Sequence, residues 1–414
     1  MKSYFYLLVL LIPFFTYATE IPSLQTPIII DATLSASWRS HDIVDEYDYW
    51  QIPGTLMGGN AWPVEKGTHV DETKLGLRSR LDQNFYAVIE VGTHTSGNDA
   101  HKTVELEHGS LGYFCCDTTT SSWALEVGRM TAKFSPSLNQ HTSDRLSSEP
   151  PLIADIFFGR NFHDDGIRAL WQNSTMIAGA EVWKGNAFPA TPSGNEAWDI
   201  FTQYFFSRKH LNFSTGVWLY ESSAESRSDH RYGGNHQHAL VAPPGMSMAN
   251  FVDVRFTGDT SIYGFHADIS TFNETKSWDI GLKTELMALK MNGSLHDAAG
   301  RIASLDASQM GAWVQPYITW QNHTFGVRAE WLSADNKVRG AAAKQLSVDS
   351  GLDNPERFNP SRYNAIWLWK LRENMALRTE LIEDKAHAKD KLRFYVGLIW
   401  TQILWPFKAN PHYH

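Results

Sequence analysis

Hydrophobic and polar residues alternate one by one along much of this chain. In "SWDIGLKTELMALK", Ile280, Leu282, Thr284, Leu286 and Ala288 share one face, and Asp279, Gly281, Lys283, Glu285 and Met287 share the other. A period of two marks an extended strand, because successive side chains point to opposite faces. The pattern recurs in "QNFYAVIEVGTH", where Phe85, Ala87, Ile89 and Val91 alternate with Tyr86, Val88, Glu90 and Gly92. It recurs in "HTFGVRAEWLS" and "MALRTELIED", and in "KLRFYVGLIWTQ", where Leu392, Phe394, Val396, Leu398 and Trp400 form an unbroken apolar face. Tight polar turns, "LDQN" at 81–84 and "SRKH" at 207–210, alternate with long connections such as 220–250 and 335–363. Neither heptads nor long amphipathic helices interrupt this order.

A soluble β-sandwich would also alternate, with its charged face outward and its apolar face against a second sheet. Two features point instead to a membrane. The chain carries 16 Trp, 15 Tyr and 22 Phe, many near strand ends, where an interfacial girdle needs them. Several segments run about 9–11 residues, enough to cross a bilayer at a tilt. Short turns on one side and long loops on the other complete the pattern. The expected fold is all-β: a transmembrane antiparallel β-barrel of about 16 strands, with long extracellular loops and an inward-folded third loop.

The ends and the charge refine this picture. Residues 1–18 read as a secretory signal peptide: Lys2, an apolar run from Tyr4 to Phe15, then Thr16-Tyr17-Ala18 as a cleavage site. Residues 19–414 are then expected to form a single barrel domain in a bacterial outer membrane, in contact with its lipid. A net charge of −9 argues against nucleic acid as a partner. Cys115 and Cys116 are adjacent and make no disulfide framework.

The chain resembles a bacterial outer-membrane porin, and in particular the phosphate-selective porin (O and P) superfamily. The stretches that carry the resemblance are "WALEVGRMTAKFSPS" (123–137) and "FGRNFHDDGIRALWQ" (158–172), which flank a long segment between the fifth and sixth strands. The resemblance implies a third loop, 131–165, folded into the lumen as a constriction. It also implies lumenal cations beside that loop, and Arg129, Lys133, Arg160 and Arg168 are the candidates, with Glu90 and Glu126 opposing them across the passage. No continuous ladder of basic residues is visible, so phosphate specificity is not carried over. The loop is rich in apolar residues (Phe134, Leu138, Leu146, Leu152, Ile153, Ile156, Phe157, Phe158), which an exposed loop has little reason to carry. The last strand is expected to end near "YVGLIW", although "TQILWPFKANPHYH" follows it.

Histidine supplies the candidate metal chemistry. "HDDG" at 163–166 reads as turn chemistry leading from the third loop into strand six, with Gly166 at positive φ. His230, His236 and His238 lie in one long loop, and His-x-His on an extended segment puts both rings on one side, a zinc-binding arrangement. The leading function is therefore a porin-like channel for passive diffusion of small hydrophilic solutes or ions, with no cofactor and no enzymatic step; a homotrimer is a further expectation. The alternative is a histidine-rich zinc-uptake channel or binding barrel, using His141, His163, His230, His236 and His238. An outer-membrane lipase ranks below both, because no G-x-S-x-G elbow is present.

Overall fold

The computed structural model describes residues 28–42, 50–62, 65–94, 104–115, 121–194, 196–232, 254–273, 277–386 and 391–406. The signal-peptide segment, Cys116, His236 and His238 lie outside the described residues. Sixteen strands close into one antiparallel barrel. In order they are β1 (Ile28–Arg39), β2 (Gly67–Arg80), β3 (Phe85–His94), β4 (Glu105–Cys115), β5 (Ser121–Thr131), β6 (His163–Asn173), β7 (Met176–Trp183), β8 (Ala197–Arg208), β9 (Leu211–Arg227), β10 (Arg255–Asn273), β11 (Trp278–His296), β12 (Ile302–Trp320), β13 (His323–Arg339), β14 (Ser361–Arg372), β15 (Met375–Lys385) and β16 (Lys391–Pro406). Every strand pairs with its chain neighbours, and β1 closes on β16. Closure leaves no unpaired edge, which a sheet needs if lipid surrounds it. The third loop, 132–162, holds two short helices, α1 (Pro136–Asn139) and α2 (Leu152–Phe158), and the β13–β14 connection holds α3 (Ala343–Asp349).

The alternation places apolar residues outward. Leu282, Leu286, Val327 and Leu398 are exposed on the outer wall, and Val396 lies on the same face as Phe394 and Leu398. Replacing Val396 with Arg is expected to cost about 2–4 kcal/mol, the cost of a cation at mid-bilayer. Refolding yield into lipid vesicles, read by heat-modifiable gel mobility, measures this; equal yields would place Val396 off the lipid. The last strand runs past Trp400 and stays paired to β1 as far as Pro406, so the barrel seam is longer than "YVGLIW" suggests.

The strands are unequal. β10, β11 and β12 have 19 residues each and β9 and β13 have 17, whereas β7 has 8. Crossing a bilayer takes about 9–11. On the longer strands the outward residues change character at one height. Tyr263 and Phe265 give way to Asp259 and Arg255, Leu286 to Lys290 and Asn292, Met310 to Ser308 and Asp306, and Trp331 to Ser333 and Asp335. The register aligns these switches, since Tyr263 pairs with Ala288, Ala288 with Met310 and Ala312 with Trp331. A raised wall thus stands clear of the apolar belt on one side of the barrel.

The main core lies inside this wall and the adjoining lumen. Phe256, Leu295, Leu305 and Leu332 of the strands bury against one cluster with Trp50, Ile52 and Met57 of the first loop and Ile153 and Phe157 of α2. Backbone bonds fix the first loop there. Gly54 N–H donates to Gly351 O at 3.0 Å, and Asn60 N–H donates to Gly159 O at 2.9 Å. Gly159 ends α2 at φ 62°, and its Cα lies so close to Gly58 and Gly59 that a Cβ there would fall 2.7 Å from their backbone. Only glycine meets both demands.

Candidate functional site in the lumen

The third loop crosses the lumen and is fastened to much of its wall. Near its start, Ser135 Oγ donates to Glu285 of β11 at 2.6 Å, Ser137 bonds the same carboxylate, and Trp313 Nε1 of β12 donates to Ser137 Oγ at 3.1 Å. Further along, Ser143 N–H and Oγ donate to Glu72 of β2 at 3.0 and 3.2 Å. Ser148 N–H donates to Glu380 of β15 at 2.6 Å, and Leu152 N–H donates to Glu330 of β13 at 2.6 Å. The loop's apolar residues Phe134, Leu138, Leu152, Ile153, Ile156, Phe157 and Phe158 are all buried.

One run of fastenings comes from a row of inward arginines, one on each of four consecutive strands. Arg328 of β13 donates to Glu149 O at 3.0 Å, and Arg362 of β14 donates to Pro150 O at 3.3 Å. Arg378 of β15 donates to the carbonyls of Thr142 and Arg145, each at 2.9 Å, and Arg393 of β16 pairs with the Glu149 carboxylate. Each arginine also has a wall acid: Glu330 at 2.8 Å from Arg328, Glu380 at 3.3 Å from Arg378, and Asp384 at 3.3 Å from Arg362 and 2.8 Å from Arg393. The row is a docking surface for the loop. Its sequence signal was the recurring Arg with a polar residue two positions on, as in "VRAE" and "LRTE", which keeps both on one strand face.

The sequence-predicted constriction residues are distributed differently. Arg168 of β6 is fully buried; it pairs with Glu181, donates to Glu126 at 3.1 Å and reaches the Thr131 carbonyl. Glu126 therefore neutralises Arg168 on one wall and does not oppose it across a passage; it also accepts from Ser110 Oγ at 2.5 Å. Glu90 of β3 lies beside Lys74 (3.7 Å) and Arg78 (3.5 Å) of β2. Arg160 takes φ 91° just beyond α2, donates to Asp155 at 2.9 Å and to Trp62 O at 2.8 Å, and so joins the third loop to the first. Lys133 sits at the loop base, where its N–H faces Glu181 at 3.3 Å. Burial, and then the charge of Arg168, pull its ammonium down to about 8. Arg129 departs from the expectation. It has the strand parity of Trp123, Leu125 and Val127, so it lies on the outer face, 3.9 Å from Asp165.

The histidine motifs also resolve. His163, Asp164 and Asp165 belong to β6, not to a turn, and Gly166 is not at positive φ; the chain reverses earlier, at Gly159 and Arg160. Asp164 points inward and accepts from Asn186 N–H at 2.7 Å, whereas Asp165 points outward near Arg129 and Lys184. Period two puts the two carboxylates on opposite faces, so they cannot share an ion. His230 is exposed on a single 3-10 turn, while its neighbour Arg231 turns inward to Asp229 and to Ala61 O at 2.6 Å. The His230, His236 and His238 grouping falls mostly outside the described residues.

His141 meets carboxylates that sequence spacing does not reveal. Its Nε2 is 3.0 Å from Glu90, and its Nδ1 is 3.5 Å from Glu107 of β4 and 3.7 Å from Glu72. Burial acts against a charge on the imidazole, as does Lys74, but the Glu90 bond and the charges of Glu72 and Glu90 outweigh both and raise its pKa.

On the far side of the loop a narrow cleft remains, with a cavity volume of about 40 Å³. Asp144, Arg145, His266, Asp268, Lys283 and Gln315 are among its lining. Lys283 and Asp268 lie 3.3 Å apart on its wall.

The fold is a closed antiparallel barrel of sixteen strands with one loop crossing its lumen. No protein-family model matches the chain, and no curated protein matches it. Solved structures do. OprB of Pseudomonas putida is 9% identical, with a TM-score of 0.51 over 91% of this chain and 94% of that one. The outer membrane channel DcaP of Acinetobacter baumannii is 11% identical, with a TM-score of 0.50 over 91% and 96%. At these identities the likeness is one of fold.

Proposed function

We propose that the protein is a porin-like outer-membrane channel for passive diffusion of small hydrophilic solutes or ions, and that its passage runs through the cleft between the third loop and the β10–β13 wall. One observation carries this reading. The loop buries the charged lumenal faces of β14–β16 and of β2 but leaves a narrow cleft beside β10–β13 that is lined by charges of both signs. Size exclusion and the local field of Asp268, Lys283 and Asp144 then select solutes, with no covalent chemistry. The homotrimer implied by the resemblance belongs to the same proposal, and native mass spectrometry of the detergent-solubilised protein tests it.

Conductance of the purified protein in a planar bilayer tests the passage. Lys283→Gln is expected to move the reversal potential toward cation selectivity, and Asp268→Asn toward anion selectivity. Two variants with unchanged conductance and unchanged reversal potential would place the passage elsewhere.

A further inference from the structure

We propose that Glu90, Glu107 and His141, with Glu72 beside them, form a divalent-cation site that ties the third loop to the barrel wall. The four residues come from four places, β3, β4, the third loop and β2, so the site exists only when the loop is docked. The ligating atoms of Glu90, Glu107 and His141 lie within 4.8 Å of one another. Ligands on one ion with bonds of about 2.0–2.2 Å sit closer than that, so an ion would draw the three side chains together. Glu72 and Glu107 are almost fully buried and Glu90 nearly so. Ser143 holds both oxygens of Glu72, an outer support of the kind that orients a metal-site carboxylate.

Charge balance favours a doubly charged occupant. Glu72, Glu90 and Glu107 bring three negative charges. Lys74 lies 3.7 Å from Glu90, and Arg78, 3.5 Å from it, is shared with Asp31 at 2.6 Å. Three buried carboxylates thus converge on one imidazole, one ammonium and a guanidinium shared with Asp31, a setting in which added positive charge is favourable. A divalent cation supplies that charge at the point where the carboxylates meet. One imidazole nitrogen with carboxylate oxygens suits zinc. The site is distinct from the His230–His238 loop, and it stands whether or not the barrel conducts.

The experiment uses the full barrel, stripped with chelator in detergent and dialysed against zinc alone. The expected result is one zinc per chain. Glu107→Gln and His141→Gln are each expected to weaken binding by at least about 100-fold, with folding verified by heat-modifiable mobility. A triple variant at His230, His236 and His238 is expected to keep the site. Cobalt in the unaltered protein supplies a readout that needs no variant: a stoichiometric d–d band displaced by zinc. The proposal falls if the folded, unaltered protein takes up neither metal stoichiometrically, if Glu107→Gln and His141→Gln retain full affinity, or if the triple variant alone abolishes uptake.

Discussion

Deleting residues 142–150 is expected to raise single-channel conductance several-fold and to shift selectivity toward anions. The segment supplies the carbonyls of Thr142, Arg145, Glu149 and Pro150 that the arginine row grips, and the Ser147 and Ser148 groups that bond Glu380. Without them the loop loses its hold on β14–β16 and on β13 keeps only the Leu152 bond to Glu330. The wall itself should survive, because Arg328, Arg362, Arg378 and Arg393 keep Glu330, Glu380 and Asp384 as partners. Four cations against three anions leave one net positive charge once Glu149 is gone, and the newly wetted stripe attracts anions. Planar-bilayer recordings of both proteins decide the matter. Unchanged conductance would mean that the loop does not limit the passage.

Arg168→Gln is expected to destabilise the barrel by about 3–5 kcal/mol, the typical cost of removing one partner from a buried ion pair. The change leaves Glu126 and Glu181 buried without their shared cation and deprives the Thr131 carbonyl of its donor. Replacing all three charged residues together, Arg168→Met with Glu126→Gln and Glu181→Gln, should recover much of the loss, since the neutral set no longer buries an unpaired charge. Denaturant titration of the detergent-folded protein measures both variants. A single variant of full stability but altered ion selectivity would return Arg168 to the passage. The structure favours the first outcome, because a guanidinium bonded on three sides and sealed from water exerts little field on a passing ion.

Much of the barrel was legible in the chain. Period-two alternation, turn spacing and aromatic load foretell a closed barrel of this size, its lipid face and an apolar third loop between β5 and β6. Arg129 was expected in the lumen, but its parity with Trp123, Leu125 and Val127 puts it outward. The raised wall, marked by the polar outward residues Lys290, Ser308 and Ser333 that continue apolar strands, was not foreseen. The inserted first loop, with Trp50, Ile52 and Met57, was not foreseen. The legible features are local properties, since a strand's faces are set by its own backbone geometry. What tertiary structure decided is which charges meet. Ser147 bonds Glu380 across 233 residues of chain, and His141 finds Glu72, Glu90 and Glu107 on three different strands. Such encounters depend on closure of the sheet and on the path of one loop across the lumen. Neither leaves a period or a spacing in the sequence, because the residues that converge are neighbours in space and not along the chain.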